Sequence, residues 1–279
     1  MEGKILVLGA TGTVGSHLVA ELVARGEQVK AASRSGKAVS GAEGVRFDYG
    51  DETTFGPALD GVGGAFVLAP TGTIDAVGVL TPIIKAAAER KVKIVLQSVF
   101  GVDADDSIPY RQVELFLERS GAPYVILRPN WFADNFHNFW LAGIKHGVIS
   151  VPAGEGKSSF IDARDIAASA AAALTTSRFD NRAFNLTGPQ ALSYGEAAAA
   201  LSTVAGRPIT YRPANDDEFV GALTGAGVSG DYARFLAAIF HPVREGWTAT
   251  VTDAVQTLTG KAPRSVETYA KDYAGTFAA

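Results

Sequence analysis

Three glycines spaced three residues apart, Gly9, Gly12 and Gly15, most constrain the fold, because they separate a strand-like segment from a helix-like one. Gly9 allows a tight turn, Gly12 lets the backbone approach a phosphate, and Gly15 lets the helix pack closely on the strand. The helix N-terminus would also direct free N–H groups at an anion. We therefore predict a dinucleotide site here, with an ordinary glycine turn as the alternative. The expected contact residues are Gly9, Ala10, Thr11, Gly12, Thr13, Val14 and Gly15.

The first half of the chain alternates strand and helix patterns. Strands are predicted at 4–8, 28–33, 45–48, 64–69, 93–98 and 124–127. Helices are predicted at 14–25 and 109–120, and a further helix follows the fourth strand and ends near residue 90. This alternation predicts an α/β Rossmann fold, with a doubly wound parallel sheet and helices on both faces.

After residue 128 the alternation is lost. Helices are predicted near 132–146, 163–174, 194–205 and 216–224, short strands near 183–186 and 209–211, and a largely helical tail from 232. We expect residues 1–130 to form the dinucleotide-binding domain. Residues 131–279 are expected to form a smaller, mixed α/β C-terminal substrate cap that shares the core, with some of its strands extending the sheet.

Composition excludes several classes of function. The net charge of −4 argues against a nucleic-acid partner, and the lack of cysteine excludes disulfides and thiolate chemistry. The chain has no signal-peptide pattern and no apolar run of membrane-spanning length, so we expect a cytoplasmic protein without a membrane partner. No histidine pair has metal-ligand spacing, so no metal is expected. The histidines are His17, His137, His146 and His241.

The end of the second predicted strand indicates which dinucleotide binds. Enzymes that use NAD place a carboxylate there for the ribose hydroxyl, whereas this chain has Ser33 and Arg34. A guanidinium can pair with a 2′-phosphate, so NADP(H) is preferred over NAD(H), with a solvated surface arginine as the alternative. Asp48, after the third strand, is predicted either to accept from the adenine amino group or to serve as a turn residue.

Several segments together resemble a known family. They are the loop at 9–15, Arg34, Gln97-Ser98, the segments 128–132 and 160–167, and the tail 259–265. This combination resembles the NmrA-like, atypical branch of the short-chain dehydrogenase/reductase superfamily, and within it bacterial NADPH-dependent quinone reductases and triphenylmethane-dye reductases. The similarity covers nearly the whole chain.

The resemblance implies where the nicotinamide would lie. It implies contacts after the fourth, fifth and sixth strands, at the carboxyl edge of the sheet. The implied residues are Ala69, Pro70, Thr71, Gln97, Ser98, Pro129, Asn130, Trp131 and Phe132. The alternative for Pro129 is a simple strand terminator.

Ser98 and Tyr110 stand where the superfamily places its catalytic serine and tyrosine. The fourth residue after Tyr110 is Glu114, however, and not the lysine that lowers the tyrosine pKa. A carboxylate near a phenol disfavours the phenolate. Tyr110 is therefore predicted to donate a hydrogen bond to a carbonyl oxygen, or to be only a half-buried tyrosine. The pattern favours direct hydride transfer, with catalysis by orientation.

An aromatic stripe of Phe132, Phe136, Phe139 and Trp140 follows the sixth strand. Its helical spacing predicts either a flat wall for a planar ring or plain core. The predicted substrate pocket comprises Tyr110, Trp131, Phe132, Asn135, Phe136 and His137.

These features predict an oxidoreductase that transfers hydride from NADPH to an electron-poor planar acceptor, quinone-like or conjugated aromatic. A non-catalytic, NADP(H)-sensing regulator of the NmrA type is the alternative. A tailoring reductase or isomerase of secondary metabolism is a second alternative. We expect a monomer or a homodimer.

Overall fold

The computed structural model describes residues 3–39 and 41–278. The strands are β1 (Lys4–Val7), β2 (Val29–Ser33), β3 (Glu43–Arg46), β4 (Val62–Val67), β5 (Lys93–Gln97), β6 (Tyr124–Pro129), β7 (Val148–Ile149), β8 (Lys157–Ser158), β9 (Arg182–Leu186), β10 (Leu192–Ser193) and β11 (Thr210–Tyr211). The α-helices are α1 (Thr13–Ala24), α2 (Phe55–Leu59), α3 (Ala76–Glu89), α4 (Pro109–Glu118), α5 (Leu141–Lys145), α6 (Ala163–Leu174), α7 (Tyr194–Ala205), α8 (Asp216–Gly225), α9 (Gly230–Ala238), α10 (His241–Arg244), α11 (Ala254–Thr259), α12 (Val266–Asp272) and α13 (Ala274–Phe277).

Within the described residues the chain divides into two compact units. The first comprises Met1–Pro129, Ala163–Leu186 and Ala254–Lys261. The second comprises Asn130–Asp162, Thr187–Asp253 and Ala262–Ala279.

The first unit is built on a parallel sheet. Among the described residues, seven strands pair in the order β3-β2-β1-β4-β5-β6-β9, and every neighbouring pair is parallel. Strands of a parallel sheet have continuous apolar sequences, because helices cover both faces of the sheet. Ile5, Leu6 and Val7 in β1 are accordingly buried. The strand order reverses at β1 and β4, the place where open α/β sheets bind ligands. The predicted Rossmann fold is confirmed.

Helices from distant parts of the sequence complete this first unit. The alanine-rich helix α6 packs on α1, and α11 packs on α6 and β9, while α3 packs on α4. Small side chains suit such close packing, and α6 is buried along nearly its whole length. The chain first leaves this unit after Pro129. Ala163–Leu186 and Ala254–Lys261, which the prediction placed in the cap, return to it.

The second unit has its own aromatic core. Phe136, Phe160, Tyr194, Tyr269 and Phe277 are fully buried in it. Two small sheets flank this core, a parallel pair of β7 with β11 and an antiparallel pair of β8 with β10.

The helix predicted over 132–146 is not continuous. The structure has a 3-10 turn at Ala133–Phe136 and then the short helix α5. The segment begins with an isolated β-bridge, because Phe132 pairs with Ile161 and the N–H of Ala133 donates to the Ile161 carbonyl at 2.8 Å. This tertiary anchor outweighs the helical spacing of the aromatic residues.

Candidate functional site

The glycine loop joins β1 to α1 in a conformation that side chains would obstruct. Gly9 has a positive φ of 62°, and its carbonyl accepts from the N–H of Gly12 at 2.9 Å. A Cβ on Gly15 would lie 2.1 Å from the Gly9 oxygen, closer than atoms can approach. The third glycine is therefore required for the helix to start this close to the strand, as the sequence predicted.

The N-terminus of α1 is open to an anion. No side chain caps it at Gly12, and its first turn carries no acidic residue. Thr11, Gly12 and Thr13 are exposed. Since the first N–H groups of a helix lack intrahelical partners, this loop has the donors and dipole that a pyrophosphate requires. The cradle that Gly15 keeps free of a Cβ thus fits a dinucleotide.

Arg34 follows β2 and is exposed. Within residues 3–39 and 41–278, no carboxylate lies within ion-pair distance of its guanidinium, so the side chain can reach an external phosphate. Ser33 accepts through Oγ from the N–H of Gly36 at 3.1 Å, which shapes the turn. Asp48 accepts through Oδ1 from the N–H of Gly50 at 2.9 Å, and this contact fits its alternative role as a turn residue.

Two buried polar atoms lie near the end of β5 without partners. Ser98 is 3% exposed, and neither its Oγ nor Gln97 Oε1 has a hydrogen-bond partner among the described residues. Buried polar atoms are nearly always satisfied, so this pair at the carboxyl edge of the parallel sheet could hydrogen-bond to a ligand or to water. The segment that follows β4 is more exposed, with Ala69 half-buried and Pro70 and Thr71 at the surface.

Tyr110 lies in the first turn of α4, half-buried against the core of the first unit. One turn later, Glu114 is fully buried, and its Oε2 is 2.7 Å from Arg128 Nη2 and 2.9 Å from Arg111 Nη1. A lysine at position 114 would place an ammonium beside two guanidinium groups. The glutamate instead pairs with both guanidinium groups. This ion-pair network explains why the chain departs from the superfamily pattern at position 114.

Asn130, at the start of the second unit, uses its side chain internally. The amide nitrogen donates to Ser159 Oγ at 2.7 Å and to the Thr248 carbonyl at 2.8 Å, while the amide oxygen accepts from the N–H of Trp131. Both amide hydrogens are thus committed to the fold. A coenzyme contact from Asn130 would have to use other atoms. Trp131 and Phe132 are half-buried and keep partly accessible rings.

The aromatic stripe divides between core and surface. Phe136 is fully buried, 5.3 Å from the Phe160 ring and 5.1 Å from Trp140. This burial favours the plain-core alternative for Phe136. Phe139, which the same helical spacing groups with it, is 70% exposed. Asn135 is half-buried.

His137 lies in a polar cluster that the sequence did not reveal. Its Nδ1 is 2.6 Å from the hydroxyl of Tyr269, and its ring stacks on Tyr273 with centroids 4.4 Å apart. Burial lowers the pKa of His137, against a smaller opposing effect of Asp162. Burial first, then Asp134 and other neighbours, raises the pKa of Tyr269, so the phenol keeps its proton in this contact with Nδ1.

Within the described residues, no three histidine or acidic side chains lie close enough together to hold a metal ion. In that same portion, no helix has both the length and the apolar composition needed to cross a bilayer.

Comparison with known proteins settles the family. The NmrA-like family model matches residues 1–261. This chain belongs to the NmrA-like family. The NAD(P)H azoreductase of Xenophilus azovorans is 35% identical over 286 residues, which cover 99% of each chain. The predicted resemblance to this family is thereby confirmed.

Solved structures of NmrA-like reductases share the fold. The Citrobacter sp. triphenylmethane reductase, crystallised with NADP(H), matches with a TM-score of 0.82 at 26% identity, over 97% of this chain and 99% of that one. The Escherichia coli NADPH-dependent quinone oxidoreductase, crystallised with NADPH, matches with a TM-score of 0.84 at 25% identity, over 96% and 99%. The chain thus falls among NAD(P)H-dependent oxidoreductases.

Proposed function

We propose that this NmrA-like protein is a reductase that transfers hydride from NADPH to an electron-poor planar acceptor, quinone-like or conjugated aromatic. The observation that carries the proposal is the glycine loop, where Gly15 leaves no room for a Cβ and α1 begins without a side-chain cap. The azoreductase, quinone oxidoreductase and triphenylmethane reductase relatives support the same reaction class.

The preference for NADPH rests on the end of β2. Arg34 is exposed without a carboxylate partner in the described part of the chain, and no acidic residue follows the strand to bind a ribose hydroxyl. A guanidinium matches the geometry and charge of a 2′-phosphate. Both structural relatives above were solved with the phosphorylated coenzyme.

The chain's own residues would bind and orient the reactants. The reduced nicotinamide supplies the hydride when bound. Ser98 Oγ and Gln97 Oε1 are the buried polar atoms available to hold a carboxamide, and Ala69, Pro70, Thr71 and Pro129 remain predicted contacts of the same ring. Such positioning accounts for much of the rate of a hydride transfer.

Tyr110 would contribute a hydrogen bond to the acceptor. Its hydroxyl is of the kind that can donate to a carbonyl oxygen, while the Glu114–Arg128 pair fixes α4 on β6. No lysine lies one turn after Tyr110 to stabilise a phenolate, so strong acid–base catalysis of alcohol oxidation is not expected. Quinone-like acceptors need little such help, since solvent can protonate the product.

A coenzyme and acceptor screen tests this function. The purified protein is mixed with NADPH or NADH and a panel of quinones, azo compounds and cationic triphenylmethane dyes, and oxidation is followed at the nicotinamide absorption band. We expect turnover with members of this panel, with kcat/KM for NADPH exceeding that for NADH at least about tenfold. Tight NADPH binding without oxidation by any acceptor would reject the reductase and favour the NADP(H)-sensing regulator.

A further inference from the structure

Tyr49 follows β3 and reaches across the first unit to the segment after β4. Its ring packs edge-on against Phe47, with centroids 4.8 Å apart. Its hydroxyl donates a hydrogen bond to the carbonyl oxygen of Leu68, with 2.5 Å between the oxygens. Leu68 is the first residue beyond β4, so this bond holds the backbone just where the sheet ladder ends.

Leu68 in turn packs against the glycine loop. A Cβ on Gly9 would lie 3.2 Å from Leu68 Cδ2, so the leucine side chain covers the first glycine directly. The last sheet contact nearby is the N–H of Leu8, which donates to the Phe66 carbonyl at 3.1 Å. Leu68 is therefore held from two sides, by Gly9 through its side chain and by Tyr49 through its carbonyl.

The phenol of Tyr49 is a permanent donor. Burial raises its pKa far above the ordinary value, and the nearby phenol of Tyr110 raises it further. The hydroxyl thus keeps its proton at any pH at which the protein would work. Tyr49 and Tyr110 both pack against the core of the first unit.

We propose that Tyr49 is a positioning residue for the nicotinamide half of the coenzyme. Its hydroxyl fixes Leu68, and through it Ala69 and Pro70, at the carboxyl edge of the sheet next to the glycine loop. This inference rests on the proposed function, because Ala69 and Pro70 are predicted nicotinamide contacts. Tyr49 does not touch the reacting atoms, and it acts through the backbone that follows β4.

The test separates the two halves of the coenzyme. Tyr49→Phe keeps the ring against Phe47 and removes only the hydroxyl, and Tyr232→Phe makes the same chemical change on α9 as the matched control. Dissociation constants are measured for 2′,5′-ADP, which lacks the nicotinamide, and for NADP⁺. We expect Y49F to leave 2′,5′-ADP binding unchanged and to weaken NADP⁺ binding about three- to tenfold, the range of one neutral hydrogen bond. Leu68→Ala should likewise raise the dissociation constant for NADP⁺ relative to that for 2′,5′-ADP.

Fluorescence of bound NADPH supplies a second readout. Looser holding of the ring in Y49F should lower the emission of the bound nicotinamide relative to the unaltered protein and to Y232F. Equal weakening of both ligands, or no change in either, would overturn the role of Tyr49. Failure of the unaltered protein to bind NADP⁺ would instead reject the proposed function itself.

Discussion

Arg128 donates two parallel hydrogen bonds to Glu114, from Nε to Oε1 at 2.9 Å and from Nη2 to Oε2 at 2.7 Å. Arg128 also reaches Asp103 through Nη1, and Arg111 links Glu114 to Glu118. This network joins α4 to β6 in the first unit. It occupies the helix face where the wider superfamily carries a catalytic lysine.

Removing the charge of Glu114 should destabilise the fold. Glu114→Gln leaves the buried guanidinium of Arg128 without its full counter-charge, so we expect the free energy of unfolding to fall by about 3–5 kcal/mol. Urea denaturation followed by circular dichroism measures it. Asp231→Asn breaks the exposed Arg234–Asp231 pair and serves as the control, which should change stability little. Equal stabilities of the two variants would contradict a structural role for the network.

A methyl group at Gly15 should block the coenzyme site. In Gly15→Ala the new Cβ would meet the Gly9 oxygen, forcing the loop and the start of α1 apart. We expect NADPH affinity to fall at least about tenfold, since misplaced donors lose charge-assisted hydrogen bonds. Fluorescence titration with NADPH gives the dissociation constant.

The control for that substitution is Gly221→Ala. Gly221 lies inside α8 with open space around its Cα, so the same change should raise stability by up to about 1 kcal/mol and leave NADPH binding intact. Full NADPH affinity in the Gly15 variant would show that the loop does not hold the diphosphate.

Arg34 should discriminate between the two coenzymes. Arg34→Ala removes the guanidinium proposed to pair with the 2′-phosphate, so the dissociation constant for NADPH should rise about tenfold or more while that for NADH changes little. The NADPH effect should shrink at high salt, because the side chain is exposed. Arg234→Ala, on α9, is the matched control. A similar loss for both coenzymes would refute recognition of the phosphate.

The pH dependence of stability should report His137. Because burial lowers its pKa in the folded protein, the unfolded chain binds more protons over the interval below the ordinary histidine pKa. Stability should therefore fall as the pH is lowered from about 7 to about 5. In His137→Gln this part of the fall should be smaller, whereas the exposed His241→Gln should behave like the unaltered protein. Thermal melts across this pH interval measure the stability of all three proteins. Identical dependence of stability on pH in all three would exclude His137 as the source of the fall.

Tyr110 should matter modestly for catalysis. Tyr110→Phe removes one hydrogen-bond donor to the acceptor but no essential acid, so the rate of NADPH oxidation should fall less than about tenfold. Steady-state kinetics with a quinone measures kcat and KM. Loss of all turnover in a folded variant would show that the phenol supplies a proton that solvent cannot replace.

The sequence reveals features that depend on neighbouring residues along the chain. The glycine loop, Arg34 and the parallel sheet follow from spacing and alternation, because backbone geometry and strand burial impose them locally. The pairing of Glu114 with Arg128 does not follow, since only the packing of α4 on β6 brings those two side chains together. The same applies to Tyr49 and Leu68, nineteen positions apart.

Helical spacing also misleads where the backbone pairs with a segment distant in sequence. The aromatic residues from Phe132 to Trp140 repeat as in a helix, yet the pairing of Phe132 with Ile161 breaks it. Tyr269 gave no local sign that its hydroxyl meets His137, and only the tertiary structure joins them. In both cases the partner residue is too distant in sequence for a local periodicity to reveal it.

The position of β9 at the edge of the sheet has a consequence for biosynthesis. A fragment that stops near residue 130 would leave the edge of β6 that faces β9 unpaired, and an open strand edge invites aggregation. It would also lack α6, which covers α1. During synthesis, six of the seven described strands of the sheet therefore precede the strand that covers β6, and this edge stays open until Leu186 has been added.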